Sequence, residues 1–141
     1  NLARKFTSIV LVEAFVSGRE ITVTIIGNKA YPIVEIIPSN DLYDYECKYT
    51  KGMTTYLCPA DLTDELTLKI QNIALNIYKL LGCRHYSRVD FILDEELTPW
   101  FLELNTLPGM TKTSLIPKSV HAVGMDFKML IQAIIDESLK D

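Results

Sequence analysis

Two short segments of the sequence carry polar or charged residues at every second position. In the first segment, Arg88 and Asp90 alternate with Val89 and Phe91, and in the second, Glu103 and Asn105 follow leucines. Because successive side chains of a β-strand point to opposite faces, each segment is expected to have one polar and one apolar face. Turn-forming residues lie between the segments, so the pattern predicts a β-hairpin.

A symmetric turn would also set the register of this hairpin. Asp90 would lie opposite Glu103, and Arg88 opposite Asn105, on one polar face. Two carboxylates about 5 Å apart destabilise each other unless a cation or a proton lies between them. Mg²⁺ suits such a place, because it prefers hard oxygen ligands and completes its shell with water and phosphate. The alternative is an exposed polar face on which Asp90 pairs with Arg88. On the opposite face of the symmetric hairpin, the apolar pairs would be Phe91 with Leu102 and Val89 with Leu104.

The elements that must position this hairpin can be read from the hydrophobic pattern. Ile9–Val16, Ile21–Ile26 and Ala30–Ile37 are β-branched, apolar runs, and a Gly27-Asn28 turn separates the last two. This pattern predicts three strands of an antiparallel meander. The following segment, Pro38–Leu62, is polar and too long for an ordinary connection, so we expect a functional loop there.

Helical spacing appears twice after that loop. Apolar residues recur every three or four positions from Leu66 to Leu81, with Thr63 or Asp64 as the N-cap and Gly82 as the C-cap. Two more helices are predicted after a Thr/Pro/Gly-rich loop, and Asp126 is the candidate cap of the last one. The whole chain, residues 1–141, is therefore predicted to be one α+β unit.

Bulk properties narrow the function classes. With 48% hydrophobic and 23% charged residues, the 141-residue chain is typical of a compact globular domain. A net charge of -4 disfavours nucleic acid and anionic membranes as partners. The chain has no apolar run long enough to span a membrane and no signal-peptide pattern at its start, which favours the cytoplasm. Its three cysteines lack the spacing of a zinc site.

Six segments, in order along the chain, resemble consecutive signatures of the D-alanine:D-alanine ligase family, an ATP-grasp family. The resemblance implies the C-terminal ATP-grasp domain, with a largely antiparallel sheet flanked by helices. It also implies that the carboxylate of one D-alanine is phosphorylated by ATP and that the amino group of a second D-alanine attacks the acyl phosphate. The product would serve peptidoglycan precursor synthesis. The segments are Val12–Phe15, Gly18–Glu20, Tyr43–Tyr49, Cys58–Ala60, Arg88–Phe91 and Glu103–Thr111.

The same resemblance implies the roles of particular residues and the cofactors. The cofactors would be ATP and two Mg²⁺ ions, with Mn²⁺ as an alternative ion, and the partners would be D-alanine and the rest of the ligase chain. The resemblance leaves open whether the protein forms a homodimer. The implied metal ligands are Asp90, Glu103 and Asn105; the implied catalytic residues are Arg88, Gly109, Lys48 and Tyr49; the implied nucleotide-binding residues are Glu13, Ala14, Phe15, Val16, Glu20 and Lys48; and the implied substrate-binding residues are Ser114, Leu115 and Tyr49.

Family members also carry an N-terminal substrate domain, two ATP-binding lysines and a glycine-rich loop. None of these three features is recognised in residues 1–141. We therefore expect the chain to act as part of a longer ligase and to be inactive alone. Two alternatives remain open at this point. One is an ATP-grasp ligase that joins other carboxylates and amines, and the other is a non-catalytic relic of the fold.

Overall fold

The computed structural model describes residues 2–38 and 54–140, and it contains an antiparallel sheet with three α-helices in those ranges. A short 3₁₀ turn, Ala3–Lys5, precedes them. The strands are β1 (Arg19–Ile26), β2 (Lys29–Ala30), β3 (Val34–Pro38), β4 (Thr54–Leu57), β5 (Tyr86–Leu93) and β6 (Pro99–Asn105). The helices are α1 (Asp64–Leu80), α2 (Leu115–His121) and α3 (Phe127–Ser138).

The sheet runs in the order β4-β3-β1-β5-β6, and the short β2 pairs with the end of β1. Every neighbouring pair is antiparallel. The central pair, β1 with β5, is matched along its whole length, from Arg19 opposite Leu93 to Ile26 opposite Tyr86. The α+β prediction with a largely antiparallel sheet is thus confirmed.

Helices cover both faces of the sheet. On one face, Ile21, Val23 and Ile25 of β1 are fully buried in a cluster that includes residues of α1. On the other, Ile26 joins a second cluster with residues of α2 and α3. Because side chains alternate along β1, Thr22 and Thr24 lie on the same face as Ile26. The polar residues of β1 therefore share a face with α2 and α3.

The ends of α1 were predicted well. Thr63 is the N-cap, and its side chain accepts a hydrogen bond from the Leu66 amide at 3.3 Å. Gly82 follows the last turn with φ +66°, and the Cys83 amide donates to the Tyr78 carbonyl at 3.0 Å. This arrangement is a Schellman motif, in which a residue without a Cβ adopts the left-handed conformation at low cost.

At α3, the predicted Asp126 cap is confirmed as well. Its carboxylate accepts from the Met129 amide at 2.8 Å.

Two strand predictions need correction. The run Ile9–Val16 forms no regular secondary structure and is largely exposed. A strand requires backbone partners as well as β-branched side chains, and no strand in residues 2–38 and 54–140 pairs with this run. The predicted strand Ala30–Ile37 is divided into β2 and β3, because Pro32 has no N–H to donate to a ladder.

The predicted loop Pro38–Leu62 includes residues 39–53, which lie outside the described residues. Thr54–Leu57 forms β4 at the edge of the sheet, so this part is a strand rather than a loop. Lys48 and Tyr49, two of the implied catalytic residues, lie outside the described residues. Among the described helices, none is long and apolar enough to cross a membrane.

Candidate functional site

The polar half of the β5–β6 hairpin has the predicted register. Each of the expected polar pairs is formed, and the apolar pair nearest to them is formed as well. The paired residues are Asp90 with Glu103, Arg88 with Asn105 and Val89 with Leu104. The prediction that the two carboxylates share one face is therefore confirmed.

The half of the hairpin near the turn differs from the prediction by one residue. Phe91 lies opposite Phe101, not Leu102, and the register shifts between Asp90 and Phe91. Leu102 is thus an extra residue on β6, which is the definition of a β-bulge. Because a shift of one residue exchanges the two faces, Phe101 contacts Phe91 on the core side while Glu103 lies on the polar side.

The turn explains this offset. The Asp94 carboxylate accepts hydrogen bonds from the amides of Glu96 and Thr98, at 3.0 and 2.8 Å, and from the indole N–H of Trp100 at 2.7 Å. These bonds, that of Trp100 first, lower the pKa of Asp94. Leu97 adopts a left-handed conformation with φ +60°. The turn is therefore a three-residue loop, not the symmetric one assumed from the sequence.

Asp90 is buried, with 6% of its surface exposed, and two side chains hold it. Thr22 donates to Oδ1 at 2.5 Å from the neighbouring strand β1. Arg88 donates through Nε to Oδ1 at 2.9 Å and through a terminal nitrogen to Oδ2 at 2.7 Å. That same nitrogen lies 3.7 Å from Oε1 of Glu103, whose side chain is 62% exposed. Arg88 thus pairs with Asp90 and lies near Glu103, so one positive charge faces two negative charges.

The predicted pairing of the two carboxylates is present, and so is the ion pair named in the alternative. Asp90 and Glu103 lie side by side, and Asp90 also pairs with Arg88. Within residues 2–38 and 54–140, no group of three or more His, Cys, Asp or Glu side chains is placed to hold a metal ion by itself. Two carboxylates beside the amide of Asn105 fit Mg²⁺, which keeps water and phosphate oxygens in its shell.

The residues expected to meet the second substrate are close to one another in the Thr/Pro/Gly-rich loop. Ser114 occupies the N-cap position of α2, but its hydroxyl makes no capping bond and instead accepts from the Thr111 amide at 3.0 Å. A Cβ on Gly109 would lie 3.1 Å from the Ser114 hydroxyl oxygen. Gly109 therefore approaches Ser114 closely, and Leu115 begins the helix beside it.

An open cleft of about 390 Å³ contains part of the expected nucleotide-binding set. Phe15, Val16 and Glu20 line it, whereas Glu13 and Ala14 are exposed and are not among the lining residues.

Two site residues were not predicted. Glu35, which is buried, accepts both bonds of a bidentate pair from Arg19 at 2.7 Å, in the wall of the cleft. Thr22 was overlooked because a threonine in a β-branched run is typical of any strand. Its alternation with Ile21 and Val23 was the only available signal.

The chain is similar in sequence and in structure to known D-alanine–D-alanine ligases. A family model described as D-ala D-ala ligase C-terminus matches residues 1–136. A D-alanine–D-alanine ligase of Methylacidiphilum infernorum is 48% identical over 134 residues, which are 95% of this chain and 44% of that protein. The crystal structure of the Bacillus anthracis D-alanine–D-alanine ligase complexed with ATP matches with a TM-score of 0.75 and 37% identity, covering 89% of this chain and 41% of that one.

A further solved structure, the VanG D-Ala:D-Ser ligase of Enterococcus faecalis, matches with a TM-score of 0.72 and 31% identity over 86% of this chain and 36% of that one. The chain thus spans less than half the length of each of these proteins.

Proposed function

The chain belongs to the D-ala D-ala ligase C-terminus family, and from this we propose that its protein is an ATP-dependent ligase that joins two D-alanine molecules. Because the chain covers 44% of the Methylacidiphilum relative, the activity is proposed for the complete protein. The observation that carries the proposal is the pair Asp90 and Glu103, opposed on one face with Arg88 against both. Arg88 brings one positive charge to these two negative charges, so the face keeps a net negative charge, and this favours the binding of a further cation.

Asp90, Glu103 and Asn105 would hold Mg²⁺, two ions by analogy with the family, and Mn²⁺ is an alternative. When bound, these ions neutralise charge on the phosphates during phosphoryl transfer. The chain's own residues supply three hard oxygen donors on adjacent strands of a rigid sheet. A site built on strands holds its ligands more accurately than one built on loops.

The reaction would proceed through an acyl phosphate. The carboxylate of the first D-alanine attacks the terminal phosphorus of ATP and displaces ADP. The neutral amino group of the second D-alanine then attacks the carbonyl carbon of the acyl phosphate, and phosphate leaves as the nitrogen loses a proton. Arg88 and the backbone near Gly109 would stabilise the oxyanion of that second step, because preorganised donors act strongly where charge develops. Lys48 and Tyr49 would close over the phosphates and exclude water from the acyl phosphate.

The nucleotide would enter the cleft lined by Phe15, Val16 and Glu20. The backbone of residues 14–16 and the carboxylate of Glu13 would meet the adenine, and Glu20 would accept from the ribose hydroxyls. The strand β1 links this cleft to the metal-binding face, because Glu20 and Thr22 are two residues apart on it. The ribose and the phosphates would thus lie along β1 and its neighbouring strands.

Ser114 and Leu115 would bind the carboxylate of the second D-alanine through the hydroxyl and a backbone N–H at the start of α2. The Ser114 hydroxyl supports this role, because it is held by the loop at Thr111 and makes no capping bond to α2. α2 also packs on the sheet face that carries Asp90. The nucleophile would therefore approach from the same side as the metal-binding residues.

The test uses the complete protein with ATP, Mg²⁺ and D-alanine and measures phosphate release and dipeptide. Glu103→Gln keeps the size of the exposed side chain and removes its charge, so kcat should fall by at least about a hundredfold, since metal-held charge contributes several kcal/mol. The matched control is Glu96→Gln in the hairpin turn, which should keep nearly full activity. Absence of dipeptide in the wild type would overturn the proposed function, and equal activity of the two variants would overturn the metal-binding role of Glu103.

The same assay with D-serine added separates the nearest alternative. Because the chain is similar to a D-Ala:D-Ser ligase, D-serine is the alternative amine substrate to test. A higher kcat/KM for the mixed dipeptide than for D-alanyl-D-alanine would assign the protein to that alternative.

A further inference from the structure

The Asp90 carboxylate has its hydrogen-bonding capacity filled by the chain itself. Oδ1 accepts from Thr22 and from Nε of Arg88, and Oδ2 accepts from a terminal nitrogen of Arg88. Nε of Arg88 lies 3.2 Å from Oδ2 as well. A carboxylate offers about four lone-pair sites, so these contacts leave little capacity for a further ligand. A cation can coordinate Asp90 only where one of these donors gives way.

The two donors differ in how firmly they are held. Thr22 is fully buried in the middle of β1, and its single proton goes to Oδ1 at 2.5 Å in preference to the uncharged Val89 carbonyl at 3.3 Å. β-Branched side chains have little rotamer freedom, which fixes this hydroxyl further. Arg88 is long and partly exposed, and its terminal nitrogen also reaches toward Glu103. The donor that yields to a cation is therefore Arg88.

We propose that Thr22 is a positioning residue of the metal-binding site, which anchors Oδ1 of Asp90 and leaves Oδ2, on the Glu103 side, as the oxygen offered to the cation. The inference rests on the proposed function, because it concerns the same site. Residues that hydrogen-bond to a metal ligand orient it, and their loss typically weakens metal binding by about 10- to 100-fold. The hydroxyl acts through Asp90 and needs no contact with metal or substrate.

β1 offers a matched control for this role. Thr24 lies two residues further on the same face and is equally buried, with 1% exposed, but its hydroxyl has no hydrogen-bond partner in the described part of the chain. Thr22→Val and Thr24→Val thus make the same chemical change in the same strand. Only the first removes a bond to Asp90.

The experiment measures, in the complete protein, the affinity for Mn(II)–ADP by water-proton relaxation and the affinity for ADP without metal. The ratio of the two affinities reports the metal-dependent part of binding, because damage to the nucleotide cleft changes both. Thr22→Val should reduce this ratio by about tenfold or more, whereas Thr24→Val and Thr22→Ser, which keeps the hydroxyl, should stay within about twofold of the wild type. Thr22→Ala is a second variant without the donor, for use if valine disturbs folding.

Each outcome has one meaning. A wild-type ratio near one, with no gain from the metal, would refute the metal-binding role and with it the proposed function. A clear wild-type gain that Thr22→Val and Thr22→Ala both retain would refute the anchoring role alone. Equal losses in the Thr22 and Thr24 variants would show a general effect of packing in β1 and would also refute the anchoring role.

Discussion

Asp90 and Asp94 lie four residues apart at the strand and turn of one hairpin, and they are held in opposite ways. Asp90 is buried and accepts from the side chains of Thr22 and Arg88, which come from two strands. Asp94 is partly exposed and accepts from two backbone amides of its own turn and from Trp100. One carboxylate is placed by the sheet, and the other organises the turn.

The difference shows how a hairpin separates chemistry from folding. The bonds of Asp94 close the turn locally, and the turn sets where the bulge at Leu102 must fall. The bulge in turn moves Glu103 to the face of Asp90. Asp90 contributes nothing to the turn, and its charge lies on the polar face opposite Glu103. We therefore expect substitutions at the two aspartates to separate activity from stability.

The largest effect is expected from comparing Asp90→Asn with Asp94→Asn in the complete protein. Loss of the buried charge at the metal-binding face should lower kcat by about a thousandfold, because a charged ligand to a catalytic cation contributes several kcal/mol. Asp94→Asn should keep activity within a few-fold. The measurement is dipeptide formation under saturating ATP and D-alanine. If both variants lose activity equally, the two carboxylates are not separable in function.

A smaller effect should appear in the pH dependence of stability. The pKa of Asp94 is lowered in the folded protein, chiefly by the Trp100 hydrogen bond, whereas an unfolded aspartate titrates near 3.9. Its contribution is therefore present above about pH 4 and lost as the pH falls through the lower folded pKa. The melting temperature of the wild type should exceed that of Asp94→Asn near neutral pH, and the gap should shrink on acidification.

Glu95→Gln, in the same turn, is the control for this measurement. It should melt with a nearly constant offset from the wild type across the same pH range. A gap between wild type and Asp94→Asn that does not change with pH would contradict the role given to the ionised carboxylate.

The smallest effect concerns the backbone of the turn. Leu97 has φ +60°, a conformation that costs most residues about 1 kcal/mol or more and β-branched residues more still. Leu97→Gly should therefore raise the free energy of unfolding slightly, by up to about 0.5 kcal/mol after the entropy of glycine is counted, while Leu97→Val should lower it by about 1 kcal/mol. Urea denaturation of both variants checks the order, and a valine variant as stable as the glycine variant would argue against this turn geometry.

Much of the fold was predictable because local rules agree with the global structure. The helix from Asp64 to Leu80 had an apolar stripe, a Thr63 cap and Gly82 at its end, and all three were found. The run Ile9–Val16 was predicted as a strand by composition alone and is not one, because no described strand pairs with it. Propensity selects residues that suit a sheet, but only hydrogen-bonding partners make one.

In the candidate site, the sequence by itself determined that each strand of the hairpin has one polar face, with Asp90 on one strand and Glu103 on the other, because side chains alternate along a strand. Only the tertiary structure decided what holds Asp90, since Thr22 is 68 residues away in sequence and reaches it through the pairing of β1 with β5. The bulge at Leu102 was likewise decided in three dimensions. The bulge depends on how the Asp94 carboxylate closes the turn. The alternation of polar and apolar residues along a strand does not reveal such hydrogen bonds between a side chain and the backbone.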